Sequence, residues 1–282
     1  MKDSECLRYP RFPGRRAVKR CRLTLSRMIL ACVAAGLAWG LAAPSIAEEI
    51  PTYTKAQTAQ PDCKNDRPAD RAIHGCPDMI EAPDGDPYER IRLYTMRGFA
   101  WLKDEEPIAA VSDFDRALQL DPENRSAIRG RAWAYERMEK YDGAIRDWTL
   151  LIKLNPREYE YFRERGYSYH LDGQYELAVA DFSSALKLDK NGIDSHIGRA
   201  LAYGAMDKMP EALADFEAAR TLNPKYSAVY IARAEMWERK GSIDKAIADY
   251  RRALDLNTTN RKAAHALKRL GDLNVPRRRL SE

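Results

Sequence analysis

Histidine and cysteine are scarce in this sequence, at four and five residues, and their placement removes most catalytic chemistries. His74, His170, His196 and His265 are scattered, and none has a second ligand at metal-site spacing. There is no glycine-rich phosphate loop and no Gly-x-Ser-x-Gly elbow. Acidic pairs such as Glu139 and Asp142 read as solvated turns. Outside the repeats described below, no segment is long enough for a catalytic domain. The sequence therefore implies no enzyme, no cofactor and no metal site.

A long apolar run is also missing. The run from Met28 to Ala43 covers 16 residues, short of the ~20 that cross a bilayer as a helix. Basic residues (Arg15, Arg16, Lys19, Arg20, Arg22, Arg27) precede it, and Pro44 and Ser45-Ile46-Ala47 follow. Small residues at 45 and 47 match a signal-peptidase site. Residues 1–47 read as a cleaved export signal, which places the mature chain in the periplasm or outside the cell. The alternative is an uncleaved inner-membrane anchor, the one route by which the chain would meet a membrane.

The net charge of +5 is concentrated in that segment. Residues 1–47 hold nine Lys and Arg against two Asp and Glu, leaving the remainder at −2. A nearly neutral body gives no electrostatic case for a nucleic-acid partner. Loss of the signal leaves two cysteines, Cys63 and Cys76. An even count in an oxidising compartment points to a disulfide, worth about 3 kcal/mol in the chain-entropy model. In a reducing compartment they would be two free thiols.

What the sequence does have is a repeat. Written in rows of 34 residues from Ile91, Arg125, Tyr159, Ile193 and Ser227, it aligns without a gap. Row position 8 holds Gly98, Ala132, Gly166, Ala200 and Ala234. Position 11 holds Trp101, Tyr135, Tyr169, Tyr203 and Trp237. Position 20 is always Ala, and position 24 holds Phe114, Trp148, Phe182, Phe216 and Tyr250. Position 27 holds Ala117, Leu151, Ala185, Ala219 and Ala253, and position 30 is always Leu. Positions 4, 8 and 11 share one face of a first helix, and 20, 24 and 27 one face of a second. Small residues let the two backbones approach, and the aromatics fill the space beside them. Gly173 and Gly241 break the chain at position 15, Pro107 and Pro210 open second helices, and Pro122, Pro156 and Pro224 follow them.

These columns resemble the tetratricopeptide repeat family over residues 91–260. The resemblance implies an all-α fold, a right-handed superhelical solenoid of helix-turn-helix repeats. Lys190 and Thr258 depart from the proline at position 32, and His196 from the bulky apolar residue at position 4. Residues 48–60 then read as linker. Residues 61–90 read as a degenerate half repeat pinned by the cysteine pair, and 261–271 as a C-terminal capping helix with Ala264 and Leu267 in phase. Residues 272–282 read as a disordered basic tail.

Two charged columns are as regular as the apolar ones. Position 7 is Arg97, Arg131, Arg165, Arg199 and Arg233; position 23 is Asp113, Asp147, Asp181, Asp215 and Asp249. In an antiparallel hairpin turning near position 15 these lie side by side. They predict a structural ladder of ion pairs within or between hairpins. The alternative is a row of arginines lining a groove for an acidic partner.

The resemblance also implies a concave groove built from row positions 2, 5, 9, 12 and 13. Here it would hold Arg92, Phe99, Arg129, Trp133, Arg137, Arg163, Tyr167, Ile197, Leu201 and Ile231. The first three rows offer an aromatic stripe flanked by arginines, a surface suited to a peptide with apolar anchors and some acidic groups. The competing reading packs these rings between hairpins. Thr95 and Phe99 stand where chaperone-tail binders of this family carry the Lys and Asn of a carboxylate clamp, so that clamp is not expected. The function implied is a non-catalytic scaffold for a protein or peptide partner. A structural or assembly subunit acting through its convex face or ends, and an adaptor docking an envelope enzyme, are the other readings.

Overall fold

The computed structural model describes residues 86–271. The expectations for residues 1–60, the Cys63–Cys76 pair and the 272–282 tail lie outside them, as does the half repeat apart from its last five residues. Among the described residues there are eleven α-helices and no strand. The five first (A) helices are α1 (Pro87–Lys103), α3 (Arg125–Arg137), α5 (Tyr159–Leu171), α7 (Ile193–Ala205) and α9 (Ser227–Arg239). The five second (B) helices are α2 (Pro107–Leu120), α4 (Tyr141–Leu154), α6 (Tyr175–Leu188), α8 (Met209–Leu222) and α10 (Ile243–Leu256). A last helix, α11 (Arg261–Arg269), closes the series. Each A helix packs on its own B helix, and each B helix packs on the next A helix. Neighbouring A helices also touch, α1 with α3, α5 with α7 and α7 with α9. This is a solenoid of stacked helix pairs.

The row register is visible in the helix ends. α3, α5, α7 and α9 begin on the first residue of their rows, and every B helix runs from position 17 to position 30. α1 starts one turn earlier, where the Asp86 carboxylate accepts from the Tyr88 amide at 3.0 Å and Pro87 occupies the first turn. Asn124 and Asn260 cap α3 and α11 in the same way. The A–B turn demands a left-handed residue at position 15. Gly173 and Gly241 supply it with φ of 85° and 73°, and Glu105, Glu139 and Asp207 are forced into it at 63°, 57° and 61°.

The core is organised around position 24. Phe114, Trp148, Phe182, Phe216 and Tyr250 are all buried, as are all five position-20 alanines. The Phe114 ring is wedged between α1 and α3. A Cβ added to Gly98 would lie 2.6 Å from it, and one added to Gly130 would lie 2.3 Å away. Phe182 repeats this between Gly166 at 3.1 Å and Gly198 at 2.4 Å. One ring thus joins its own hairpin to the next, and the small residues are small because the ring occupies their side-chain space. Position 30 behaves differently. Leu120, Leu188 and Leu222 are 40–45% exposed on the outside of their B helices, whereas Leu154 and Leu256 are half-buried and pack against the core. At the C-terminal end, Ala263, Ala264, Ala266 and Leu267 of α11 are buried against the last hairpin, and its remaining side chains are polar.

Chemical denaturation tests the turn and the wedge. Glu139→Gly relieves a left-handed cost of roughly 1–2 kcal/mol against a glycine entropy cost of roughly 0.5–1 kcal/mol, so its midpoint should rise modestly, while Gly241→Ala should lower it. Phe114→Ala should destabilise by about 3–5 kcal/mol.

Candidate functional site

The A-helix face is fixed by the charged columns. In every repeat the position-7 arginine donates from Nε and a terminal nitrogen to both oxygens of the position-23 aspartate. The distances are 2.6 and 2.6 Å for Arg97–Asp113, 2.9 and 2.7 Å for Arg131–Asp147, and 2.7 and 2.8 Å for Arg165–Asp181. They are 2.7 and 2.8 Å for Arg199–Asp215 and 2.8 and 2.7 Å for Arg233–Asp249. All five aspartates are buried. Three of the arginines also reach back to the preceding B helix. Arg131 donates to Asp115 at 2.6 Å, Arg165 to Thr149 at 3.0 Å and Arg199 to Ser183 at 3.0 Å. Each of these guanidiniums therefore clamps three helices. Burial works against the Arg131 charge, but bonds to Asp147 and Asp115 hold its pKa above the ordinary value. Burial likewise opposes the Asp215 charge, and Arg199 and His196 overcome it and lower the pKa.

The aromatic stripe leans on the core rings. Phe99 meets Phe114 edge-on at 5.2 Å and Trp133 at 6.2 Å, Trp133 meets Trp148 at 6.2 Å, and Tyr167 meets Phe182 at 4.9 Å. The Tyr167 hydroxyl also donates to the Asp194 carbonyl at 2.8 Å. All three rings are half-buried, as is Leu201. They pack against the core rings and are partly exposed. Two residues assigned to the groove do not belong there. Ile197 and Ile231 are only 5% and 9% exposed and sit in the core of the last repeats. At the same row position Thr95 is also buried, at 8%, whereas Arg129 and Arg163 are half-buried.

The arginines of this face differ in their partners. Arg92 is exposed and paired with Glu89. Arg163 bonds Glu164 at 2.9 Å and approaches Glu160 at 3.7 Å. Arg137 is half-buried near the end of α3. Arg129 lies over the Trp133 ring, 5.4 Å from its centroid. An open hollow beside α1 and α3 is lined by Ile91, Arg92, Thr95 and Asn124.

A set of buried polar groups was missed in the sequence. Glu136 accepts from Trp148 Nε1 at 3.0 Å and from the Ser168 hydroxyl at 2.6 Å, and Tyr250 donates to Glu238 at 3.3 Å. A signal for them exists. Where position 24 is Trp or Tyr, with a polar tip, position 12 of the same row is Glu; where it is Phe, position 12 is Leu102, His170 or Gly204. Glu238 is also gripped by Arg269 of α11 at 2.6 and 2.8 Å. His170 is pushed down to about 4 by burial and by nearby Arg239, so it is neutral at physiological pH. Among the described residues no group of three or more His, Cys, Asp or Glu is placed to hold a metal ion. No described helix is long and apolar enough to cross a membrane.

The model of the tetratricopeptide repeat family matches residues 102–150, 129–193 and 197–261. Sperm-associated antigen 1A of Danio rerio is 38% identical over 71 residues, which is 25% of this chain and 16% of that protein. Among solved structures, a tetratricopeptide repeat protein from Parabacteroides merdae superposes with a TM-score of 0.58 at 17% identity, over 75% of this chain and 88% of that one. A thermophilic TPR protein from Thermus thermophilus gives 0.53 at 21% identity, over 65% of this chain and all of the other.

The ladder is tested by Asp181→Ala, which strands Arg165. We expect a loss of about 3–5 kcal/mol in denaturant titrations, and an unchanged midpoint would remove the ladder from the account. The pH dependence has two arms. His170 has a lowered folded pKa, so the unfolded chain takes up its proton first and stability falls as pH drops from 6.5 toward about 4. Asp215, also lowered, contributes above its unfolded pKa near 3.8 and loses that contribution as pH falls further. Thermal melts across this range should show both, and His170→Gln should flatten only the upper arm.

Proposed function

Because the chain belongs to the tetratricopeptide repeat family, we propose that it is a non-catalytic scaffold that binds a protein or peptide partner on the A-helix face of its first three repeats. Proteins of this family bind protein or peptide partners. The observation that carries the reading is the seating of Phe99, Trp133 and Tyr167 against core rings. Side chains held in this way lose little rotamer freedom on binding, which favours affinity. The basic stretch, apolar run and Ser45-Ile46-Ala47 ending support work in the periplasm or cell envelope, with an adaptor for an envelope enzyme as one form that work could take.

A second reading rests on the exposed leucines of position 30. Leu120, Leu188 and Leu222 recur on three of the five B helices, α2, α6 and α8, and such a set suits assembly through the outer face. The two readings separate in one experiment. The exported chain would be immobilised and challenged with envelope extract, beside Arg129→Glu and a Leu120→Lys/Leu188→Lys/Leu222→Lys variant, each checked for native circular dichroism. Loss of a captured partner with Arg129→Glu alone supports the A-face. Loss with the leucine variant alone moves the function to the B helices.

A further inference from the structure

The near-neutral charge of the array is an average over two unlike stretches. Residues 86–226, the first four repeats, hold 21 Lys and Arg against 25 Asp and Glu, and residues 227–271, the last repeat with its cap, hold ten against five. Of the eleven described helices, α11 alone has no Asp or Glu. Its buried side, Ala263, Ala264, Ala266 and Leu267, lies on the last hairpin. Its other side is basic throughout. Arg261, His265 and Lys268 follow one another at helical spacing, Lys262 and Arg269 flank them, and all five are exposed.

Internal pairing reduces this charge without cancelling it. Asp249, Glu235 and Glu238 each hold one cation, Arg233, Lys262 and Arg269 in turn, and Lys240 reaches Asp207 of the fourth repeat. Asp244 and Asp255 remain against six further Lys and Arg. The form of this end selects its partner. No buried side-chain polar atom of α10 or α11 lacks a bond, and the one aromatic residue of the two helices, Tyr250, is buried. Nothing here is shaped for a fixed ligand, and no ring is offered on which nucleic-acid bases could stack. A fluid anionic surface needs neither, because its charges are continuous and move to meet the side chains. Isolated ion pairs in water are too weak to hold a second protein by this face alone, whereas each Lys or Arg near an anionic bilayer strengthens attachment roughly fivefold. Screening confines that attraction to about 8 Å at physiological salt, less than the width of one helix, so the acid-rich earlier repeats do not offset it.

We infer that the C-terminal end of the array docks, through the exposed face of α11, on the headgroups of an anionic phospholipid surface without entering it. This face lies outside the three repeats assigned to a peptide partner, so the inference stands independently of that reading.

Co-sedimentation of the exported chain (residues 48–282) with phosphatidylcholine vesicles, with and without about 30% phosphatidylglycerol, tests it. Two variants that lose the same charge are compared, each checked for native circular dichroism: Arg261→Gln/Lys268→Gln on α11, and Lys187→Gln/Lys190→Gln, which alters exposed side chains of the third repeat. The parent should bind the anionic vesicles and not the neutral ones. Raising salt from about 0.1 to 1 M shortens screening from about 10 to 3 Å and should release it. The α11 variant should bind roughly 25-fold more weakly, and the third-repeat variant within about twofold of the parent. Equal losses in the two variants would overturn the α11 face in favour of net charge alone. Undiminished binding by the α11 variant, equal binding to neutral vesicles, or no binding would overturn the lipid partner; a gel shift of duplex DNA in the last case would assign this end to a nucleic acid instead.

Discussion

The position-24 ring sets the terms for everything around it. Phe114 and Phe182 each occupy the side-chain space of a small residue in their own A helix and another in the next. A ring in that place makes one hairpin inseparable from its neighbour, because removing it opens a cavity shared by both. The alanine and glycine columns, the close helix approach and the half-buried stripe follow from it. A hairpin alone would leave that ring half in water, which is why the repeats are stable only as a stack.

The arginine clamp solves a second problem, which is register. Apolar packing tolerates sliding of one helix along another, whereas a bidentate bond does not. Five such bonds at the same row positions hold the A helices in phase, and the reach of Arg131, Arg165 and Arg199 into the preceding B helix carries that phase from repeat to repeat. The A-face is consequently a surface set by the interior. Its aromatic side chains are the outer edges of rings whose inner edges belong to the core.

Much of the fold was legible because a repeated column cannot be accidental. Positions 8, 20, 24 and 27 announced the hairpin and its tight interior, and the helix ends follow the rows. The site was legible only in outline. Position 5 carries Thr, Arg, Arg, Ile and Ile, a mixture that hides the burial of its Thr and Ile members; Ile197 and Ile231 are core residues. Position 30 is uniformly Leu yet leans outward in three repeats, since uniformity shows that a position is constrained and not on which side it lies. The Glu136 and Glu238 acceptors were missed because each depends on a pair of columns read together, the polar tip of a ring at position 24 and an acid at position 12. The exposure of each guanidinium had no signature in the sequence at all, since Arg92, Arg129 and Arg163 are the same residue type in different company.

Ring and clamp together make the A-face a preformed surface, as stable as the interior that supports it. Native-state hydrogen exchange across α3 to α8 measures this directly. The amides of the A helices α3, α5 and α7 should share the protection of the B helices α4, α6 and α8 and reach the free energy of global unfolding. A-helix amides that open through a separate, less costly transition while the B helices stay protected would contradict it.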